Sequence, residues 1–124
     1  ITIVTGVQTW ALPIYGNNDG KSIKSTLNRK EIIHLQGYNI GLIHGDGDKK
    51  INIEDRVYNE FKNDNVDIII FGHSHQPLIK TRRSILMINP GSLTRKYKEK
   101  WYSYVILDID KGSIKSEIKF ICKK

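Results

Sequence analysis

Hydrophobic and polar residues follow one another in short runs along most of the chain, a spacing that indicates β-strands. Two such runs, Glu31–Gln36 and Asn39–His44, are joined at Gly37-Tyr38 and predict a hairpin. Residues 66–71 are rich in β-branched and aromatic side chains, which predicts a strand covered on both faces. Further strands are predicted at Ile85–Ile88, Ser103–Ile109 and Ser113–Ile121, with a turn at Asp110-Lys111-Gly112 between the last two.

One segment between these strands has the period of a helix. Ile53, Val57 and Phe61 recur four residues apart and define an apolar face. Asn52 precedes them as a candidate N-cap, and the first turn carries two acidic residues, which the helix dipole favours there. The pattern predicts a helix that ends near Asn63–Asn65.

Residues 1–14 differ in composition from the rest of the chain. They contain no charged residue and no clean period, whereas the sequence from Tyr15 onward is rich in Lys, Ile, Asn and Asp. Residues 4–14 closely resemble the in-frame translation of a common sequencing-adapter oligonucleotide; only Trp10 departs, through a one-base change from Cys. We therefore interpret residues 1–14 as a non-native leader to be excluded from reasoning about the fold. The alternative is a native apolar strand at Ile1–Val4 followed by a loop.

The composition is that of one ordinary domain, with 124 residues, 39% hydrophobic and 27% charged. Apolar runs are far too short to span a bilayer and no secretory signal pattern is present, so we expect neither membrane insertion nor secretion. Cys122 is the only cysteine, which excludes internal disulfides and fits the reducing cytoplasm, where we expect the protein. The net charge of +7 favours anionic partners without naming one.

Three clusters of polar residues carry most of the candidate chemistry. They are Gly16-Asn17-Asn18-Asp19-Gly20, His44-Gly45-Asp46-Gly47-Asp48 and Gly72-His73-Ser74-His75. The last two follow predicted strands, where a glycine lets side chains point into the crevice at the carboxyl edge of a sheet. Short motifs of this kind are singly more often solvated turns. Their occurrence together, in this order, is stronger evidence for a metal site.

Together with Asn89-Pro90-Gly91-Ser92, these clusters resemble the small calcineurin-like metallophosphoesterases of the archaeal and bacterial phosphodiesterase group, from residue 15 to the C-terminus. The resemblance implies an α/β fold, the C-terminal portion of a calcineurin-like αββα sandwich with mixed sheets. It also implies these metal ligands: Asn17, His44 and His73 for one ion, and His75 for a second.

The family also uses an Asp-x-His motif after its first strand and a Gly-Asp motif after its second. These motifs supply ligands to the first metal and the carboxylate that bridges both ions, and neither is present upstream of Gly16. We therefore interpret residues 15–124 as a partial metallophosphoesterase domain that lacks its N-terminal strands, and we expect no efficient catalysis by this chain alone. We also expect the strand at residues 66–71 to have an uncovered neighbour.

The resemblance implies two divalent metal ions. Mn²⁺ is favoured, with Ni²⁺, Fe²⁺ or Zn²⁺ as alternatives, because imidazole, carboxamide and carboxylate ligands suit such ions. It implies a phosphodiesterase in which a hydroxide bridging the ions attacks phosphorus in line. No side chain is assigned as catalytic: many relatives have a histidine near the leaving group where Asn18 stands here, and no base is paired with Ser92. Asn18, Asp19 and Asp46 are candidates for substrate contacts or for orienting the metal ligands, although turn and loop roles suit both aspartates.

Two other function classes are compatible with the sequence. The eukaryotic retromer scaffold subunit resembles this family in fold, so a non-catalytic protein-interaction scaffold is the alternative. A nucleic-acid-binding module would rest only on charge, at Arg82-Arg83 and residues 95–102, where a solvated strand face is the simpler interpretation. We expect a phosphodiester substrate, no membrane partner and nucleic acid only as a substrate, and leave a homo-oligomer open. His34 matches no motif and is left out of the site.

Overall fold

The computed structural model describes residues 2–5, 30–74, 76–92 and 101–122. These residues form eight strands and one helix, whose bounds are as follows: β1 Thr2–Thr5, β2 Lys30–Leu35, β3 Tyr38–Ile43, α1 Ile53–Phe61, β4 Ile68–Phe71, β5 Leu78–Arg82, β6 Ile85–Asn89, β7 Trp101–Asp110 and β8 Ser113–Cys122. No helix among these residues has the length and apolar character needed to cross a lipid bilayer.

The strands form one mixed and one antiparallel sheet. The mixed sheet has five strands in the order β2-β3-β4-β6-β5, in which β3, β4 and β6 run parallel and the two edge strands run antiparallel to their neighbours. The second sheet has the order β1-β7-β8 and is antiparallel throughout. An α/β fold with a mixed sheet is therefore confirmed. Because β3, β4 and β6 are parallel, their carboxyl ends meet at the same edge of the sheet.

The five-stranded sheet is covered on both faces, as alternation of side chains along its strands requires. Ile40, Ile70 and Ile88 pack with Val105 and Leu107 of the three-stranded sheet. On the opposite face Ile69, Phe71 and Met87 pack with Val57 and Phe61 of the helix. The described layers are thus helix, mixed sheet and antiparallel sheet. The described residues place no helix on the outer face of the antiparallel sheet, so the αββα sandwich stays a prediction.

Strand β4 has a paired neighbour on each side, because β3 and β6 flank it. All four of its residues are buried, which confirms a strand covered on both faces. The expectation that this strand has an uncovered neighbour was wrong. Strand β3 of the β2-β3 hairpin lies beside β4 on one side, and β6 lies beside it on the other, so no N-terminal strand is needed to cover β4.

The helix begins as predicted and ends earlier than predicted. The Asn52 side chain accepts a hydrogen bond from Asp55 N at 2.9 Å, and Val57 and Phe61 are buried. The helix stops at Phe61 because the Asn- and Asp-rich residues after it form turns instead. In these turns Asp64 N donates to Phe61 O and Val66 N donates to Asp64 O.

The edge strand β5 was missed by the sequence pattern because it has no apolar alternation. Lys80 and Thr81 are exposed, and Arg82 of this strand pairs with Asp55 of the helix. The β5-β6 turn also lacks the usual signal: Arg83 and Ser84 have φ of 47° and 70° without a glycine or asparagine at either position.

Strand β1 pairs antiparallel with β7, with Thr2 opposite Asp108. A strand at these positions is compatible with either interpretation of residues 1–14. The non-native leader and the domain boundary at residue 15 stay predictions.

Gly41 allows the helix to dock on the sheet, which gives a stability prediction. A Cβ at position 41 would lie 2.7 Å from Phe61 Cε1, in a core that is already filled. We expect Gly41→Ala to lower the free energy of unfolding by about 1–3 kcal/mol, the usual cost of overpacking. Urea denaturation measures this change. Gly112→Ala is the control, because no atom lies within 4 Å of its added Cβ; equal effects at the two positions would contradict the prediction.

Candidate metal centre

Two histidines meet at the carboxyl edge of the mixed sheet. His44 directly follows β3 and His73 follows β4 after one glycine, so parallel pairing of these strands brings them together. The Nδ1 atom of His73 lies 3.4 Å from Nε2 of His44, and the half-buried rings meet edge to face at 82°. Gly72 N donates to His44 O at 2.9 Å, which extends the strand pairing to the loops that carry both rings.

The spacing of the two ring nitrogens fits a shared divalent ion. Metal–nitrogen bonds of about 2.0–2.1 Å at a tetrahedral angle separate two ligand nitrogens by about 3.4 Å. The observed separation is 3.4 Å, which is long for a direct hydrogen bond between the rings. Imidazole ligands suit zinc, iron and nickel, which are ions that the sequence analysis names. The two imidazoles therefore fit a divalent ion and do not select which one; Mn²⁺ stays a prediction.

The backbone of His73 is in an unfavourable conformation. Its φ is +68°, in the left-handed region where a side chain costs about 1–2 kcal/mol relative to ordinary conformations. Such backbone outliers concentrate at functional sites, where surrounding contacts hold them. The conformation directs the His73 ring toward His44 and is consistent with a role beyond packing.

Arg56 of the helix fixes the loop that follows His44. Its guanidinium donates to Gly45 O through Nε at 3.2 Å and Nη2 at 2.8 Å, to Asp48 O at 2.9 Å, and to Ile51 O. The planar fork of arginine suits such multiple carbonyl contacts, which lysine does not reproduce. This role of Arg56 could not be predicted from the sequence, because nothing in the spacing shows a side chain that folds back on a preceding loop.

The aspartates of the same loop have different positions. Asp48 accepts a hydrogen bond from Lys50 N at 2.9 Å and so belongs to a local turn. Asp46 lines a cavity of about 380 Å³ together with Arg56 and Glu60. A role for Asp46 in orienting the metal ligands stays a prediction.

Asn89 is a second residue whose role the sequence analysis missed. The sequence shows Asn89-Pro90-Gly91-Ser92 only as one of the motifs behind the family resemblance, and the structure places Asn89 with 1% exposure at the end of β6. Its side chain bonds to Gly72 O and to Ser74 Oγ, on the loop of His73. The sequence signal that could have shown this role is a polar residue, Asn89, directly after the apolar run Ile85–Ile88.

Four of the predicted site residues lie outside the described residues: Asn17, Asn18, Asp19 and His75. Within residues 30–74, 76–92 and 101–122, no three histidine, cysteine or acidic residues gather closely enough to hold a metal ion. His44 and His73 are thus the predicted ligands that the structure brings together.

Other groups with potential chemistry have packing roles. His34 is exposed on β2 and its Nδ1 contacts Asn39 Oδ1, at the end of the sheet opposite to His44. Arg82 pairs with Asp55 at 2.5 Å and lies 4.4 Å from the centre of the Tyr58 ring, so it fastens an edge strand to the helix. The basic residues 95–100 lie outside the described part of the chain.

Comparisons with known proteins agree with this fold. A family model described as a calcineurin-like phosphoesterase superfamily domain matches residues 4–112. A probable metallophosphoesterase of Methanocaldococcus jannaschii is 42% identical over 73 residues, which are 55% of this chain and 35% of that protein. The chain thus spans about a third of the length of this curated relative.

Two solved structures have the same fold. A Thermotoga maritima protein, solved by NMR, is 31% identical with a TM-score of 0.63; the match covers 89% of this chain and 65% of that chain. Vps29 from Entamoeba histolytica, crystallised with zinc, is 25% identical with a TM-score of 0.66; the match covers 86% of this chain and 67% of that chain.

The strained backbone of His73 predicts an unusual order of stabilities. We expect His73→Gly to be more stable than His73→Ala by about 1 kcal/mol, because glycine adopts positive φ without steric cost. Thermal or urea unfolding of the two variants measures the difference. Ser74 has no positive φ, so Ser74→Gly should be less stable than Ser74→Ala. If His73→Ala were at least as stable as His73→Gly, the His73 backbone would be unstrained.

Proposed function

We propose that this chain, which belongs to the calcineurin-like phosphoesterase superfamily, is part of a metal-dependent phosphoesterase that hydrolyses phosphodiesters. The observation that carries the proposal is the pair of imidazole nitrogens 3.4 Å apart at the ends of two adjacent parallel strands. We further propose that the helix and two sheets are the C-terminal portion of an αββα sandwich. The relatives named metallophosphoesterases support the reaction class.

The residues of this chain have distinct proposed roles. His44 and His73 hold one ion through the facing ring nitrogens, with Asn17 as a further ligand, and His75 binds the second ion. Bound divalent ions would activate water and neutralise charge on the phosphoryl group, and Mn²⁺ is our first choice for them. The loop of His44, which Arg56 holds, and the loop of His73 form rigid supports that keep these nitrogens in place. Asn18, Asp19 and Asp46 contact the substrate or orient the ligands.

The proposed substrate and setting follow from charge and composition. A net charge of +7 attracts an anionic phosphodiester and steers it toward the protein. We propose a cytoplasmic protein with no membrane partner, for which nucleic acid is a partner only as a substrate. The charge of Arg82 is paired with Asp55 within the fold, so this arginine is a weak candidate for binding nucleic acid.

A protein-interaction scaffold of the same fold remains the second candidate. The imidazole pair is compatible with it, because two histidines can hold an ion without performing a reaction. Metal binding alone therefore does not separate the candidates. Turnover does, since a scaffold has no need to cleave the substrate.

Hydrolysis of a chromogenic bis-aryl phosphate by the full-length gene product tests the enzyme proposal. We expect turnover that depends on added divalent metal and a decrease of at least about 100-fold in kcat/KM in His73→Ala, because a removed ligand disrupts the ion that the reaction needs. His34→Ala is the matched control, since it removes an exposed histidine at the other end of the sheet. No activity with any divalent metal, or equal activity of the two variants, would refute the proposal.

The chain of 124 residues should behave differently from that gene product. We expect no efficient catalysis and fewer than two tight metal sites, because the chain has neither the Asp-x-His nor the Gly-Asp motif upstream of Gly16. It therefore lacks the carboxylate that bridges both ions in the family. Calorimetric titration with Mn²⁺ and with Zn²⁺ measures the number of sites. Two tight sites in this chain would contradict the expectation.

A further inference from the structure

The buried carboxamide of Asn89 holds the loop of His73 from both sides. Its Nδ2 donates to Gly72 O at 3.1 Å and to Ser74 Oγ at 2.9 Å, and its Oδ1 accepts from Gly91 N at 3.0 Å. Gly72 and Ser74 are the residues before and after His73 in the chain. The Asn89 side chain therefore bridges the loop that carries the imidazole and the turn that follows β6.

Strand register explains why Asn89 reaches this loop. Strands β4 and β6 are parallel with Ile70 opposite Ile88, so Asn89 lies level with the end of β4. One strand spacing, about 4.8 Å, separates the two backbones there, a distance that an asparagine side chain can span. On its other side, Gly72 N donates to His44 O at 2.9 Å. Gly72 is thus bonded to groups from both flanking strands.

The chemistry of this position requires a carboxamide. Asn89 is 1% exposed, so its own carboxamide is removed from water and needs hydrogen-bond partners within the protein. A carboxylate of the same shape would keep the acceptor for Gly91 N but would place an acceptor against Gly72 O. An apolar side chain would leave Gly91 N without this acceptor and would leave Gly72 O with the bond from Ser74 N.

Hydrogen bonds around His73 account for its backbone. Ser74 N donates to Gly72 O at 2.9 Å and closes a turn around His73, and Asn89 bonds to the same Gly72 O and to Ser74 Oγ. A φ of +68° is unfavourable for a histidine and persists only when the surroundings hold it. The bonds from Asn89 to Gly72 and Ser74 fix both ends of this one-residue segment. The His73 ring then has little freedom to move away from the ring of His44.

We propose that Asn89 is a positioning residue for His73, which sets the distance between the His73 and His44 ring nitrogens. Asn89 acts through the backbone of the loop, and its own carboxamide is engaged by three partners within the fold. Its effect on ring geometry stands on these hydrogen bonds alone. Its effect on metal affinity rests on the proposed function.

NMR of the 124-residue chain tests the positioning without metal. The readout is the nuclear Overhauser effect between the ring protons of His44 and His73, together with the coupling constant that reports the φ of His73. We expect this Overhauser effect to disappear in Asn89→Asp and to weaken in Ser74→Ala. Ser103→Ala is the control: Ser103 is equally buried and bonds to Pro90 O of the same turn, so its removal should leave the Overhauser effect unchanged.

Zn²⁺ affinity of the same variants, from competition with a chromogenic chelator, is the second readout. We expect Asn89→Asp to weaken binding by about 10- to 100-fold, the usual effect of removing support behind a ligand. The Zn²⁺ affinity of Ser103→Ala should stay within about threefold of the affinity of the unaltered chain.

The outcomes separate this proposal from the proposed function. A folded Asn89→Asp in which the Overhauser effect between the two rings persists would overturn the positioning role. If that variant does not fold, an unchanged Overhauser effect in Ser74→Ala would overturn it instead. If the unaltered chain does not bind Zn²⁺ and the rings of Asn89→Asp have moved apart, the metal site is refuted and the positioning role is supported.

Discussion

The parallel register of β3 and β4 is the constraint on which the candidate site depends. Ile43 lies opposite Phe71, so the first residues beyond each strand, His44 and Gly72, come level and are joined by a backbone hydrogen bond. Buried side chains on both faces of the sheet hold this register, because a slip of one residue would exchange the faces. The meeting of the two imidazoles is therefore a consequence of core packing as much as of the loops.

Buried polar contacts at this edge of the sheet connect the core to the loops. Ser103 of β7 donates to Pro90 O at 2.9 Å, and a Cβ at Gly91 would lie 1.8 Å from Ser103 Oγ. Gly91 also has a φ of +77°, so only glycine combines this backbone with this close approach. The turn after β6 is consequently held by the antiparallel sheet on one side, and by Asn89 to the loop of His73 on the other.

Much of the fold could be predicted from the sequence because the strongest local signals agree with the tertiary structure. The helix at residues 53–61 and the buried strand at residues 68–71 combine period, capping and composition. Strand β5 could not be predicted in this way, since Lys80 and Arg82 are stabilised by Glu54 and Asp55 of the helix, which are distant in sequence. The turn at Arg83-Ser84 likewise has an unusual backbone that its residue types do not reveal.

In the candidate site, too, some residues could be predicted from the sequence and others could not. Histidines that follow predicted strands next to glycines were recognisable, and the structure brings His44 and His73 together. Arg56 and Asn89 were not recognisable, because their roles consist of hydrogen bonds to backbone groups of distant loops. Sequence motifs identify atoms suited to bind an ion, whereas the distances between those atoms depend on residues that no motif contains.

The supports of the two imidazoles lie in one continuous part of the chain. The bonds from Gly72 to His44, from Asn89 to the loop of His73, and from Arg56 to the loop after His44 all join residues 44–91. This segment contains the helix, β4 and β6 and directly follows β3, so packing of the helix on the mixed sheet holds the facing nitrogens in position. A metal ion that meets a preformed pair of ligands loses less free energy to ordering them than one that must bring them together. Within the described residues, the histidine pair is therefore the part of the proposed centre that the fold holds in place.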